Sequence, residues 1–168
     1  SKYGIICDSS DISKEKLLLN NCVIHNCKGY GIQAFSSVID IENCQITNAL
    51  NDCVSITGGY TTLLQSTLGQ FYPFQGDIGV ALRFSNHIGN VPYPLYQINV
   101  INSLITGLGD DKLMGDKDTT LTFKYRFINC LICTPRVDKD TLFVNTLWES
   151  RDSTASQSKN FRNIDYHN

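Results

Sequence analysis

Aliphatic and polar residues alternate along this chain in short runs that break at an asparagine. Leu19-Asn20-Asn21-Cys22-Val23-Ile24 is matched by Ile41-Glu42-Asn43-Cys44-Gln45-Ile46 and by Phe127-Ile128-Asn129-Cys130-Leu131-Ile132. Looser copies are Val100-Ile101-Asn102-Ser103-Leu104-Ile105 and Leu63-Leu64-Gln65-Ser66-Thr67-Leu68. The fourth residue of the motif falls at 22, 44, 66, 103 and 130, giving spacings of 22, 22, 37 and 27. A second motif keeps step with the first: Tyr3-Gly4-Ile5, Tyr30-Gly31-Ile32, Asp52-Cys53-Val54-Ser55-Ile56 and Gly79-Val80-Ala81-Leu82. Period-two alternation predicts strands. Recurrence at a fixed spacing predicts that each repeat is one unit stacked on the next.

A period near 22 with strands only reads as an all-β parallel β-helix, a solenoid of about five coils roughly 24 Å long. Aliphatics at alternate positions then point inward as ladders of like residues. Asn or Gln at 21, 43, 65, 102 and 129 is expected to sit at a buried bend, each amide donating to the carbonyl of the next coil. The Cys or Ser that follows is small enough to stack where the coil turns. A leucine-rich horseshoe would need leucine at fixed positions, and a jelly roll would show no register of Asn and Cys. The whole chain, 1–168, is read as one such segment with loop insertions at about 69–97 and 107–122. The first insertion is aromatic and proline-rich (Phe71-Tyr72-Pro73-Phe74 and Val91-Pro92-Tyr93-Pro94-Leu95-Tyr96), and the second is polar. Proline donates nothing to a ladder, so these prolines are expected in loops leaving the solenoid.

Composition agrees with strands: Ile, Val and Thr number 38 together, Ala, Glu and Met only 8, which rules out a helix bundle. A net charge of −2 with no basic run argues against a nucleic-acid or anionic-membrane partner. No apolar stretch approaches the roughly 20 residues of a membrane span. The seven cysteines are an odd number that disulfides alone cannot use up. Cys22, Cys44 and Cys130 share one repeat position, where parallel Cβ vectors disfavour bridging. Cys130 and Cys133 lack the second pair a zinc site needs. Both read as small structural residues, as do Cys7, Cys27 and Cys53, with a single pair among the last three left open.

The order Asn43-Cys44, Gly58-Gly59-Tyr60, Ala81-Leu82-Arg83-Phe84-Ser85-Asn86, Asn102-Ser103-Leu104-Ile105-Thr106-Gly107, Phe123-Lys124-Tyr125-Arg126-Phe127 and Cys130-Leu131-Ile132 resembles the right-handed β-helix lipoproteins of Bacteroidetes. These are surface proteins related at fold level to pectate lyases. The resemblance runs from Tyr3 to about Tyr166 and rests on structural motifs. It implies a right-handed parallel β-helix placed outside the cytoplasm, at the cell surface or outer membrane through a lipid anchor not contained in this chain. It also implies that the 168 residues are a piece of a longer solenoid, whose ends pack on further coils or on neighbouring chains.

Three groups of residues bear on chemistry. Asp52-Cys53-Val54-Ser55-Ile56 before Gly58-Gly59 is similar to the aspartate segment of β-helical polygalacturonases, but position 51 is Asn and the companion motifs are missing. Inverting hydrolysis needs two carboxyl groups roughly 6.5–9.5 Å apart, so Asp52 reads as a turn cap. Asp110, Asp111, Asp116 and Asp118 form the densest acidic cluster. They are the candidate Ca2+ ligands, with Arg83 or Arg126 as conceivable bases and Asp138-Lys139-Asp140 as a weaker cluster. Phe71, Tyr72, Phe74, Tyr93 and Tyr96 lie in segments the solenoid does not need, which makes them the candidate sugar platform. Their alternative role is to cover the coil surface or cap a neighbouring chain. His25, His87 and His167 show no shared site. The expected function is binding of a polysaccharide or another extracellular partner without catalysis; the alternative is a lyase or hydrolase acting on an acidic polysaccharide. A third possibility is pure scaffold.

Overall fold

The structure is a computed structural model and describes residues 2–9, 13, 16–74, 76–137 and 139–149. Asp138, Asn163-Ile164-Asp165-Tyr166 and His167 lie outside the described residues. Those described contain strands, turns and no helix, and no helix is long and apolar enough to cross a membrane. In chain order the strands are β1 (Tyr3–Cys7), β2 (Leu17–Asn20), β3 (Val23–His25), β4 (Tyr30–Glu42), β5 (Gln45–Thr47) and β6 (Val54–Leu64). Then follow β7 (Thr67–Gln70), β8 (Leu82–Ser85), β9 (His87–Ile88), β10 (Val91–Pro92), β11 (Leu95–Ile101) and β12 (Leu104–Gly107). The last are β13 (Leu113–Asp116), β14 (Phe123–Ile128), β15 (Leu131–Cys133), β16 (Phe143–Val144) and β17 (Leu147–Glu149).

The protein is all-β with parallel sheets. Each strand pairs with its equivalent in the next repeat: β2, β4, β6, β11, β14 and β16 in one sheet, β3, β5, β7, β12, β15 and β17 in the other. Register follows the sequence repeat rung by rung, so Ile24, Ile46, Leu68, Ile105, Ile132 and Trp148 form one inward ladder. Leu19, Ile41, Leu63, Val100, Phe127 and Phe143 form the facing one. Both ladders belong to a single core, and each buried aliphatic contributes about 1.5–3 kcal/mol. At the β14–β17 end the core becomes aromatic, with Phe127 stacked on Phe143 and Phe143 packed on Trp148.

The corner between the two sheets differs from the expectation in three ways. A sixth copy, Phe143-Val144-Asn145-Thr146-Leu147-Trp148, extends the expected five, and its Asn145 shares the corner geometry. Its spacing of 16 from Cys130 hid it. Secondly, the corner amides are exposed rather than buried. Asn21, Asn43, Gln65, Asn102, Asn129 and Asn145 all have φ between 48° and 55°, the left-handed region in which Asn is the best tolerated residue with a side chain. Thirdly, the bonds between repeats come from their backbone N–H groups, which donate to Glu42, Leu64, Ile101, Ile128 and Val144 at 2.9–3.1 Å. Among the described residues these corner side chains bond one another only from Asn145 to Asn129 and from Asn129 to Asn102, each at 3.2 Å.

The buried member of the corner is the Cys or Ser that follows. Its Sγ–H or Oγ–H donates to the carbonyl two residues back, from Cys22 to Asn20, Cys44 to Glu42, Ser66 to Leu64, Ser103 to Ile101 and Cys130 to Ile128. A small donor serves these five corners, which explains the exchange of Cys for Ser; in the sixth copy Thr146 takes the place, and its hydroxyl has no partner among the described residues. None of the seven cysteines is joined in a disulfide, Cys7, Cys27 and Cys53 included. Burial pushes the Cys53 thiol up to about 11.

Candidate binding site on the loop-bearing corner

Above this stack the chain turns a second corner, where the two insertions meet. In β4 and β6 the bend is made by Ser36 (φ 38°) and by Gly58 and Gly59 (φ 72° and 80°). A Cβ on Gly58 would collide with Tyr93, and one on Gly59 with the Ser37 backbone. The next repeat replaces the bend with an antiparallel hairpin of β9 and β10, which returns through Tyr93 and Pro94 into β11. Both insertions also give a strand back to the sheet, since β8 pairs with β6 and β13 pairs with β8 in parallel register. Leu95 and Tyr96, expected in a loop, belong to β11.

Asn86 fastens the insertions together. Its side chain is fully buried; Nδ2 donates to the carbonyls of Asp118 (2.8 Å), Leu121 (3.3 Å) and Thr122 (3.3 Å), while Oδ1 accepts from the Asp118 amide at 2.7 Å. The adjacent His87 has Nδ1 3.1 Å from the Gly89 carbonyl and Nε2 3.3 Å from Oδ1 of Asp116. Both ring nitrogens therefore face acceptors, an arrangement that only the doubly protonated imidazolium satisfies. The Gly89 carbonyl and then the Asp116 carboxylate raise the histidine above its ordinary range. Bonds from the Thr120 hydroxyl (2.7 Å) and amide (2.8 Å) hold Asp118 below the usual carboxylate value. His87, Asp118, Thr120, Asn90 and Pro92 border a cleft of about 190 Å³.

The acidic cluster is thereby divided. Asp116 and Asp118 belong to this corner, whereas exposed Asp110 and Asp111 sit in the turn before β13. There Asp111 accepts from Thr134 Oγ1 at 2.6 Å and from the Leu113 amide. Among the described residues no three His, Cys, Asp or Glu side chains converge as a metal ion would require. Asp140, of the weaker cluster, accepts from the Tyr125 hydroxyl, and burial together with that bond raises Tyr125 to about 12. Asp52 accepts from the Val80 amide at 2.9 Å, in keeping with a turn cap, and in addition pairs with Arg83. Arg126 is exposed on the sheet face beside Asn99.

Among the described residues the five aromatics share one ring contact, that of Tyr72 with Phe74. Tyr72 is buried with its ring edge-on to Phe74, which is 74% exposed, and Phe71 is exposed near Gly69. Tyr93 is half-buried against Phe35. Tyr96 stacks on Tyr60, with ring centroids 5.1 Å apart and planes 15° from parallel. Both rings are exposed, and Gln97, bonded to Asn99, lies on the same strand as Tyr96.

Sequence reasoning missed Tyr60 and His87. The first was discoverable, because the 37-residue offset places Tyr60 opposite Gln97, next to Tyr96. No spacing signals the second, because His87 and Asp116 meet only once both insertions have folded. No family description, curated protein or solved structure matches this chain.

Proposed function

We propose that this chain is a segment of a right-handed parallel β-helix from a bacterial surface protein, and that it binds glycan or another extracellular partner without cleaving it. Six repeats with parallel rung-on-rung pairing support the solenoid reading. The stacked and exposed Tyr60–Tyr96 pair is the observation that carries the binding role. A solenoid does not need tyrosines on its outer face, and their outward ring surfaces and hydroxyls are suited to the apolar faces and hydroxyls of a sugar. Gln97 and Asn99, on the same strand as Tyr96, add neutral polar groups beside it.

The acidic residues of the corner are already bonded to His87 and Thr120, which favours a structural part for them over acid–base work. The test is a glycan array with the intact protein, scored both for retention and for cleavage products. Retention that is lost in Tyr60→Ala and Tyr96→Ala, with no new sugar ends, supports the proposal. Cleavage products would replace it with the lyase or hydrolase reading.

A further inference from the structure

The outer surface of the asparagine corner is concave along the stack. Two adjoining stretches of groove, the larger of about 530 Å³, share Gln65 and Thr67 and together run from Asn21 to Asn145. We propose that this groove is a second binding site, for a neutral linear glycan lying along the stacking axis, one sugar residue per repeat.

Three observations select that ligand. First, among the described residues no charged side chain lines the groove; its floor is the row of corner amides and its wall the residues after each Cys, Ser or Thr. Gln45 and Thr67 stand in the wall at one end, Leu104, Leu131 and Leu147 at the other. A uronate would find no cation there, whereas a neutral sugar presents hydroxyls to the amides and C–H faces to the leucines. Secondly, the side-chain amides of Asn21, Asn43 and Gln65 make no hydrogen bond to the described residues, so each offers a donor and an acceptor to a ligand. Their backbones are fixed in the left-handed corner by the rung bonds, so little ordering remains for binding to demand. Thirdly, the amides recur at the strand spacing of about 4.8 Å. Equatorially linked 1,4-pyranose units advance by close to one such step each. An extended peptide advances only about 3.3 Å per residue and falls out of step within two repeats.

This groove lies on the corner formed by β3, β5 and β7 with their successors, while Tyr60 and Tyr96 lie on β6 and β11, so the two sites fail separately. The experiment is calorimetric titration of the intact protein with cello-, manno- and xylo-oligosaccharides of increasing length, with oligogalacturonate as the charged control. Affinity is expected to rise with each added sugar up to six, to be insensitive to salt, and to be absent for oligogalacturonate. Leu131→Glu and, at the other end of the wall, Thr67→Lys should each weaken binding by about tenfold or more with an unchanged circular dichroism spectrum and melting curve. Tyr96→Ala should leave this binding in place. Absence of binding by every neutral series, affinity without length dependence, or binding lost in Tyr96→Ala but kept in both groove variants would overturn the proposal.

Discussion

Nε of Arg83 lies 2.7 Å from Oδ2 of Asp52 and its Nη2 lies 3.3 Å from Oδ1, joining side chains 31 positions apart. Asp52 is 4% exposed and Arg83 36% exposed, so the carboxylate is desolvated and the guanidinium is only half so. Removing the cation strands a buried anion, whereas neutralising the anion strands a cation that still reaches water. Arg83→Met is therefore expected to cost about 3 kcal/mol and Asp52→Asn about 2 kcal/mol. Urea unfolding of both variants checks the order; a larger loss in Asp52→Asn would contradict it.

At the left-handed corners the side chain is a burden that only glycine escapes. Asn43 (φ 51°) is exposed, and its amide has no bond to the described residues. Asn43→Gly should leave thermal stability nearly unchanged, and Asn43→Val should lower it by about 1–2 kcal/mol. At the neighbouring position Cys44→Ser should fold normally, because the hydroxyl can replace the Sγ–H bond to the Glu42 carbonyl.

Thr61 carries the opposite error. It stands between Ile39 and Ile98 in an inward ladder, 3% exposed, and its hydroxyl has no partner. Thr61→Val keeps the shape and removes the unpaired group, so the protein should gain about 1 kcal/mol. A lower melting temperature in the valine variant would refute this.

Asn86 should act as the tie between the insertions. Asn86→Ala leaves the Asp118 amide and three carbonyls without their present partners. Hydrogen exchange of the amides from Asp116 to Thr122 should accelerate by about tenfold or more, while the rungs of β4 and β6 keep their protection. Uniform acceleration across the molecule would show that Asn86 supports the whole stack instead.

The His87 clamp has a defined pH direction. Its folded value is raised above the ordinary 6.5 by Gly89 and Asp116, so the stabilisation is fully present below 6.5 and is lost as pH rises through the folded value. Asp118 runs the other way: its contribution is present above the ordinary carboxylate value of 3.8 and is lost as pH falls through its lowered one. The difference in melting temperature between wild type and His87→Gln should therefore be largest in mildly acidic buffer and should close in alkaline buffer. A gap that widens with pH would rule the clamp out.

Much of the architecture is legible in the residues alone. Alternation of Ile, Leu and Val marks the rungs, and the paired Asn-Cys or Asn-Ser marks the corner, because both are demands made within a few residues of chain. The direction of the amides was not legible. Asn suits a buried ladder and a left-handed turn equally well in composition, and only the backbone dihedral distinguishes them. The sixth repeat escaped because its spacing is short, although Asn145 and Trp148 keep their places in it.

The sequence by itself determined the rungs, their parallel register and the small residue at each corner, since those follow from local periodicity and side-chain size. Tertiary structure alone decided the rest. It brought His87 to Asp116, Asn86 to Asp118 and Tyr60 to Tyr96, and it tied Asp111 to Thr134. These meetings depend on where insertions of unequal length return to the stack, a matter of loop closure and packing that no local pattern encodes.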